Sequence, residues 1–364
     1  MGVLLVLGAL LLLSLERAVA AGENIKHHTA HSGDINNTTI AGSEKGCVHQ
    51  STYFINPNVR FQMCMGQTAQ DLKNGMSIIN LVNNRGFLPT CRVMQLMLWM
   101  AAEVGDKGAL HRDTFVDIGA NIGSCTVHMA ALGFPVISVE PVQQHVDTIQ
   151  GSIDINPSFH IDLQHCGLST EERVLNVNFG HGTRNWGASE FHEADANAAF
   201  ETTLQLRPLD KLVGHRRVSL LKVDCEGCEW ETLKSARRVL KRTPMIKLEL
   251  VQPSYTAGNE TISAADIVKF LNTSGFSIFA DHWNEQQLYF GLHHKEIFDV
   301  DRLFGSDKFS LGASPDSLST GARLIISNPI DAQTFSQKKF LEKHTDIIAI
   351  ETNLAERMKT RWVS

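Results

Sequence analysis

The stretch Lys222–Glu231, KVDCEGCEWE, sets two carboxylates and two thiols within five positions: Asp224, Cys225, Glu226 and Cys228. A hydroxyl that attacks an electrophilic carbon must lose its proton, and a carboxylate beside it can take that proton. Glu226 is the leading candidate for such a base, with Asp224 positioning a ligand. Either acid could instead cap the helix that follows, since acids favour helix starts. Asp224 and Glu249 could together hold a divalent metal, but no third ligand declares itself, and no metal is expected. The C-x-x-C spacing of Cys225 and Cys228 permits thiol–disulfide chemistry, although no thioredoxin-like Gly-Pro separates the pair.

A second stretch, Thr114–Ala130, reads TFVDIGANIGSCTVHMA and is followed by PVISVEP over Pro135–Pro141. It has the pattern of a strand, a glycine turn, a helix, and a strand ending on an acid. In the dinucleotide fingerprint G-x-G-x-x-G the second glycine lets the backbone approach a pyrophosphate. With Gly119 as the first glycine, Asn121 occupies the place of the second, and its side chain obstructs that approach. Asp117, just ahead of the turn, also repels phosphate. A nicotinamide dinucleotide is disfavoured, and no P-loop motif is present.

A cationic cofactor without phosphates suits this turn better. S-adenosylmethionine carries a sulfonium, an ammonium, a carboxylate and a ribose diol. Asp117 could receive the ammonium, while Gly119 and Gly123 let the backbone pass close to the ligand. Glu140 stands twenty-one positions after Gly119, at the carboxyl end of the second strand. A carboxylate there can accept from both ribose hydroxyls.

Alternating elements must position these residues. Strands are predicted at TFVDI, PVISVE, HIDLQHC, RVSLLKVD, PMIKLELV, FSIFA and QQLYFG. Helices are predicted over Ile122–Leu132, Val142–Ile155, Cys228–Lys241 and Ala264–Asn272. Strands and helices in alternation mean βαβ units and a mainly parallel sheet, with ligands at the carboxyl ends of its strands. The short link between the last two strands makes that pair antiparallel. Ahead of this unit, CRVMQLMLWMAAEV (Cys91–Val104) is apolar almost all round and reads as a buried helix. A closing helix is expected near Glu351–Arg361.

FVDIGANIG, VISVEP, CGLSTEERVLNV, LLKVDCEGCEWETLKSA and IKLEL resemble, in order and spacing, the pattern of the FkbM-family methyltransferases. The resemblance spans roughly residues 90–290. It implies a Rossmann-like class I methyltransferase fold, S-adenosylmethionine as donor, and an oxygen acceptor. The cysteines at 225 and 228 depart from the family pattern, which has aliphatic or small residues there.

The chain has 364 residues, 43% of them hydrophobic, enough for a full core. Its formal net charge of −6 argues against a nucleic-acid partner. An apolar run over Val3–Leu15 is short for a bilayer span and precedes Ala18-Val19-Ala20, a cleavage site of the signal-peptidase type. No basic residue precedes the run, so an uncleaved anchor is the alternative. N-x-S/T acceptors at Asn36, Asn37, Asn259 and Asn272 point to the secretory pathway.

Seven cysteines leave at least one thiol outside intrachain bridges. Cys47, Cys64 and Cys91 are the disulfide candidates, and Cys125 and Cys166 read as buried thiols. His27, His28 and His31 fall in a polar segment read as flexible rather than metal-binding. Trp186 could contact the acceptor or anchor its own loop.

These readings divide the chain into a signal segment (1–20), an amino-terminal extension (21–88), a methyltransferase domain (89–292) and a carboxyl-terminal extension (293–364). The domain is expected as an α/β, mainly parallel seven-stranded sheet, with helices on both faces and an antiparallel last strand. The expected activity is methylation of a glycan or small-metabolite hydroxyl. The rival readings are a secreted binding protein that retains the fold without turnover, and a C-x-x-C oxidoreductase. The oligomeric state is left open.

Overall fold

The computed structural model describes residues 47, 49–54, 60–66, 82, 88–105, 113–179, 191–193, 202–250, 254–257, 260–280, 326, 329–330 and 345–363. Contacts divide the chain into residues 1–38, which lie outside the described set, and residues 39–364. The signal segment, the histidine trio, Asn36, Asn37, Trp186, Asn259 and the strand expected at residues 286–291 also lie outside it.

In chain order, the strands β1 (His49–Phe54) and β2 (Arg60–Gly66) form a hairpin ahead of helix α1 (Pro89–Val104). Then come β3 (Thr114–Ile118), α2 (Ser124–Ala131), β4 (Val136–Glu140), α3 (Gln143–Ile155) and β5 (Ile161–His165). A small sheet follows, built from β6 (Gly167–Leu168), β7 (Arg173–Phe179), β8 (Phe191–Glu193) and β9 (Thr202–Arg207). The chain continues through α4 (Leu209–Val213), β10 (Val218–Val223), α5 (Glu229–Ser235), α6 (Arg237–Leu240) and β11 (Met245–Leu250). It ends with β12 (Ser254–Ala257), β13 (Glu260–Ser263), α7 (Ala264–Thr273), β14 (Phe276–Ala280), β15 (Pro329–Ile330), β16 (Thr345–Glu351) and α8 (Thr352–Trp362).

The main sheet runs β15-β14-β16-β11-β10-β3-β4-β5. Pairing is parallel from β5 through β11, and β16 runs antiparallel to both of its neighbours. The order reverses between β3 and β10, so the carboxyl ends of these two strands flank the crevice where such sheets bind ligands. β3, β4 and β10 are buried at every position, as expected of parallel strands covered on both faces. One core cluster joins Phe115, Leu220 and Ile348 to α1, α2 and α8. The other joins Val116, Leu221 and Ile246 to α4, α5, α6 and α7.

Two features differ from the sequence expectation. The described sheet has eight strands, because the short β15 adds to its edge beside β14. The antiparallel strand is Thr345–Glu351, in the stretch assigned to a carboxyl-terminal extension. Its Ile347, Ile348, Ala349 and Ile350 are all fully buried, so the end of the chain belongs to the core. Glu351 then caps α8 by accepting from the Asn353 and Leu354 backbone N–H groups, and Trp362 packs on Trp99 of α1.

Disulfides join Cys47 to Cys64 and Cys91 to Cys125. The second corrects the reading of Cys125 as a thiol: α1 and α2 lie side by side and bring the two sulfurs together. Bridges with sequence separations of 17 and 34 stabilise a fold by about 3–4 kcal/mol each. Cys166 is buried and free, and burial pushes its thiol up to about 11. Among the described residues, no helix is long and apolar enough to cross a membrane.

A chain ended at residue 344 would leave β11 and β14 without the strand between them. Such a protein is expected to lose cooperative unfolding in denaturant, whereas the full chain gives a single steep transition; far-UV circular dichroism against urea checks this.

Candidate active site

The glycine turn leaves β3 with three residues at positive φ: Gly119 at 71°, Asn121 at 54° and Gly123 at 85°. A Cβ on Gly119 would lie 1.7 Å from the Asp224 carbonyl oxygen, and one on Gly123 would meet Ile149 at 2.8 Å. The glycines therefore let the turn pack against the chain's own β10 loop and α3. Asn is among the few side chains that tolerate the left-handed region. Asn121 also accepts a hydrogen bond from the Ile122 N–H through its own Oδ1.

Glu140 ends β4 and is buried. Its Oε2 accepts from the Asn121 N–H at 2.8 Å, and its Oε1 from the Val142 N–H at 3.0 Å. His145 Nδ1 lies 3.1 Å from the same Oε1. An ionised carboxylate has about four acceptor positions, so three are occupied from within and one remains on Oε2. Glu140 stands where a ribose-binding acid is expected, with room for one hydroxyl rather than two. His145, five residues further on in α3, is the partner that sequence reasoning missed.

Asp117 is fully buried, and it already receives an ammonium from within the chain. Lys222 Nζ lies 3.2 Å from Asp117 Oδ1 and 3.3 Å from Asp224 Oδ2, and donates to the Gly119 carbonyl at 2.9 Å. Thr126 Oγ1 donates to Asp117 Oδ2. Burial pulls the Lys222 ammonium toward neutrality, but the two carboxylates outweigh it and hold the pKa well above the ordinary lysine value. Asp117 thus positions the turn through Lys222, and the carboxylate that meets solvent is Asp224, whose side chain is 32% exposed.

Glu226 adopts φ 53°, an uncommon conformation for a residue with a Cβ, and Gly227 follows at 116°. Glu229, at the start of α5, reaches back to accept from the Gly227 N–H at 3.1 Å and the Cys225 N–H at 3.4 Å. The acid that organises the α5 entry is therefore Glu229, which leaves Glu226 at the bend. Burial raises Glu229 to about 6, against the pull of those N–H groups.

Across the strand ends, Glu249 of β11 hydrogen-bonds Asp224. Burial first, then the Asp224 charge beside it, raises Glu249 to about 10. Burial also opposes ionisation of Asp224, but Lys222 and the Glu249 hydrogen bond hold its pKa below the usual range. Among the described residues no group of three His, Cys, Asp or Glu side chains could hold a metal.

The strand ends carry Glu140, Asp224 and Glu226, while the Lys222 ammonium is spent on the chain's own acids. The Ser124 hydroxyl, buried at the start of α2, has no hydrogen-bond partner among the described residues. A cation-bearing ligand with hydroxyls and no phosphate fits this set, and S-adenosylmethionine is such a ligand.

The strand order, with an antiparallel strand inserted between the last two parallel-running ones, together with this turn and strand-end acid, defines a Rossmann-like class I methyltransferase fold. The family model described as "Methyltransferase FkbM domain" matches residues 117–278. "Methyltransferase 1" of Beauveria bassiana (strain ARSEF 2860) is 26% identical over 147 residues, covering 34% of this chain and 58% of that protein. The chain therefore spans a little over half of that relative's length. Magnesium protoporphyrin IX methyltransferase (ChlM) from Synechocystis PCC 6803 with bound SAM aligns at TM-score 0.29 and 14% identity, over 58% of this chain and 76% of that one. Precorrin-6y C5,15-methyltransferase from Geobacter metallireducens GS-15 aligns at 0.26 and 18%, over 46% and 67%.

Two substitutions test the electrostatics. Lys222→Met leaves Asp117 buried and uncompensated, and is expected to cost about 3–5 kcal/mol in urea unfolding. Glu249 has a folded pKa raised from 4.5 to about 10, so its stabilising contribution is complete below pH 4.5 and lost as pH rises toward about 10. Glu249→Gln fixes the protonated form, and is expected to flatten the decline in melting temperature over that window.

Proposed function

We propose that this chain is an S-adenosylmethionine-dependent O-methyltransferase of the secretory pathway that methylates a hydroxyl of a glycan or small metabolite. The observation that carries the reading is Glu140 locked onto the Asn121 N–H of the glycine turn, with the acid-bearing loop of β10 packed against that turn. When bound, the cofactor supplies an electrophilic methyl group on a sulfonium.

Every other task falls to the chain. The remaining acceptor position of Glu140 takes one ribose hydroxyl. Asp224, kept ionised by Lys222, attracts the ligand's positive charge and orients it over the turn. Glu226, on the same loop, takes the proton of the acceptor hydroxyl. Methyl transfer needs little beyond alignment and that proton removal, so two positioned carboxylates suffice.

The compartment is read from the apolar segment ahead of Ala20 and from the three bridges among the described residues, which persist in oxidising surroundings. Asn272, exposed near the end of α7 within an N-x-S triplet, is open to modification. The glycan or metabolite acceptor follows from the compartment, and the net charge of −6 speaks against nucleic acid.

Calorimetric titration of residues 21–364 with S-adenosylmethionine tests the donor. Saturable binding is expected, weakened about tenfold, or about 1.4 kcal/mol, in Glu140→Gln. In a labelled-methyl screen of hydroxylated glycans and small alcohols, Glu226→Gln is expected to keep donor affinity while turnover falls about 10²-fold or more. A folded protein that binds no donor would refute the reading. One that binds donor yet methylates no acceptor would favour the binding-protein alternative.

A further inference from the structure

We propose that Cys225–Cys228 is a thiol–disulfide exchange site whose oxidised form holds Glu226 in its bent conformation. Its effect on turnover rests on the methyl-transfer reading above. Three bridges are present among the described residues, and they differ in kind. Cys47–Cys64 packs against Gly151 of α3, and Cys91–Cys125 ties α1 to α2 inside the core. Cys225–Cys228 encloses only Glu226 and Gly227, and both of its cysteines are half-buried at the strand ends. A ring that small joins no separate elements, so its consequence is local.

That consequence falls on the site. Both enclosed residues have positive φ, and the residue before the ring, Asp224, touches Lys222 and lies under Gly119. Polar side chains surround the sulfurs. Cys228 Sγ lies 3.2 Å from Thr232 Oγ1, and Cys225 Sγ lies 3.8 Å from Glu229 Oε1. These groups can hydrogen-bond the two thiols once the bridge is open. The Glu229 carboxylate also holds the Cys225 and Gly227 N–H groups in place, so the loop keeps its anchor in either state.

The co-reactant is a low-molecular-weight thiol. Its thiolate attacks one sulfur of the bridge, forming a mixed disulfide and releasing the other cysteine as thiolate, which takes up a proton. A second thiolate attacks the outer sulfur of that mixed disulfide and expels the remaining cysteine as thiolate, which takes up a proton, so two thiols become one external disulfide and two electrons pass to Cys225 and Cys228. Opening the ring frees Glu226 to return to ordinary backbone geometry. Asp224, held by Lys222 and Glu249, stays in place.

The test is a titration of the folded full chain with reduced glutathione, followed by iodoacetamide trapping and peptide mass analysis. Cys225 and Cys228 are expected to be alkylated together at thiol concentrations about tenfold or more below those that open the other two bridges. Opening together with, or after, Cys47–Cys64 and Cys91–Cys125 would overturn the proposal. In the second arm, reduction of wild type is expected to slow methyl transfer about tenfold, with donor affinity little changed. The Cys225→Ser/Cys228→Ser variant is expected to show the slow rate with or without glutathione. Equal rates in the oxidised and reduced proteins would overturn control of Glu226. If the oxidised protein binds no donor, the methyl-transfer reading fails, and the order of alkylation alone decides whether exchange occurs.

Discussion

Lys222 carries its ammonium to the carboxyl end of β10, at a place with almost no access to water, and the charge survives there because Asp117 and Asp224 flank it and the Gly119 carbonyl accepts from it. An isolated buried ammonium would be driven neutral. Each charge makes the others tolerable. The cost of removing one partner far exceeds what the set contributes relative to an apolar core. Such a set therefore acts chiefly as a device for register. It joins β3 to β10 at Asp117 and Lys222, which pair across the two strands, and it fixes the first carbonyl of the glycine turn.

From that joint the rest of the site follows. The Gly119 turn is drawn down until the space of its missing Cβ is filled by the Asp224 carbonyl. The turn then offers the Asn121 N–H to Glu140, which also gathers the Val142 N–H and His145. Glycine is needed at 119 because of the chain's own backbone. The turn and the β10 loop form one unit, and Glu140 and Asp224 are placed relative to each other before any ligand arrives. This is the preorganisation on which alignment-limited chemistry depends.

Much of this was legible from residue order. Continuous apolar runs ending in an acid marked β3, β4 and β10, and the glycine spacing marked the turn, because a buried parallel sheet leaves little freedom in either. Contacts that depend on register were not legible. Lys222 is an ordinary strand residue until Asp117 is placed across from it, and Cys125 is an apolar-looking helix residue until α1 lies beside α2. Glu229 looked like one more acid in a run, yet its reach back to the Gly227 and Cys225 N–H groups separates it from Glu226. β16 was hidden for another reason. TDIIAIE carries charges at both ends and follows β14 only after a long interval of chain, so nothing local marks it as the strand between β11 and β14.

The two carboxyls that meet at the mouth, Asp224 and Glu249, are pushed in opposite directions by their surroundings. Asp224 shares the field of the Lys222 ammonium and stays ionised, while Glu249 faces Asp224, Asp346 and Glu226 and keeps its proton. Lys247, engaged with Asp346 at 2.6 Å, adds to the positive field that keeps Asp224 ionised. Pairs of acids whose pKa values are driven apart divide the roles of acid and base between them. Here the protonated member is tied to its neighbour by a hydrogen bond, so Glu249 keeps Asp224 in place and limits the negative charge at the mouth. That arrangement sets the Asp224–Glu249 bond beside Glu226, which stands on the bend of the loop.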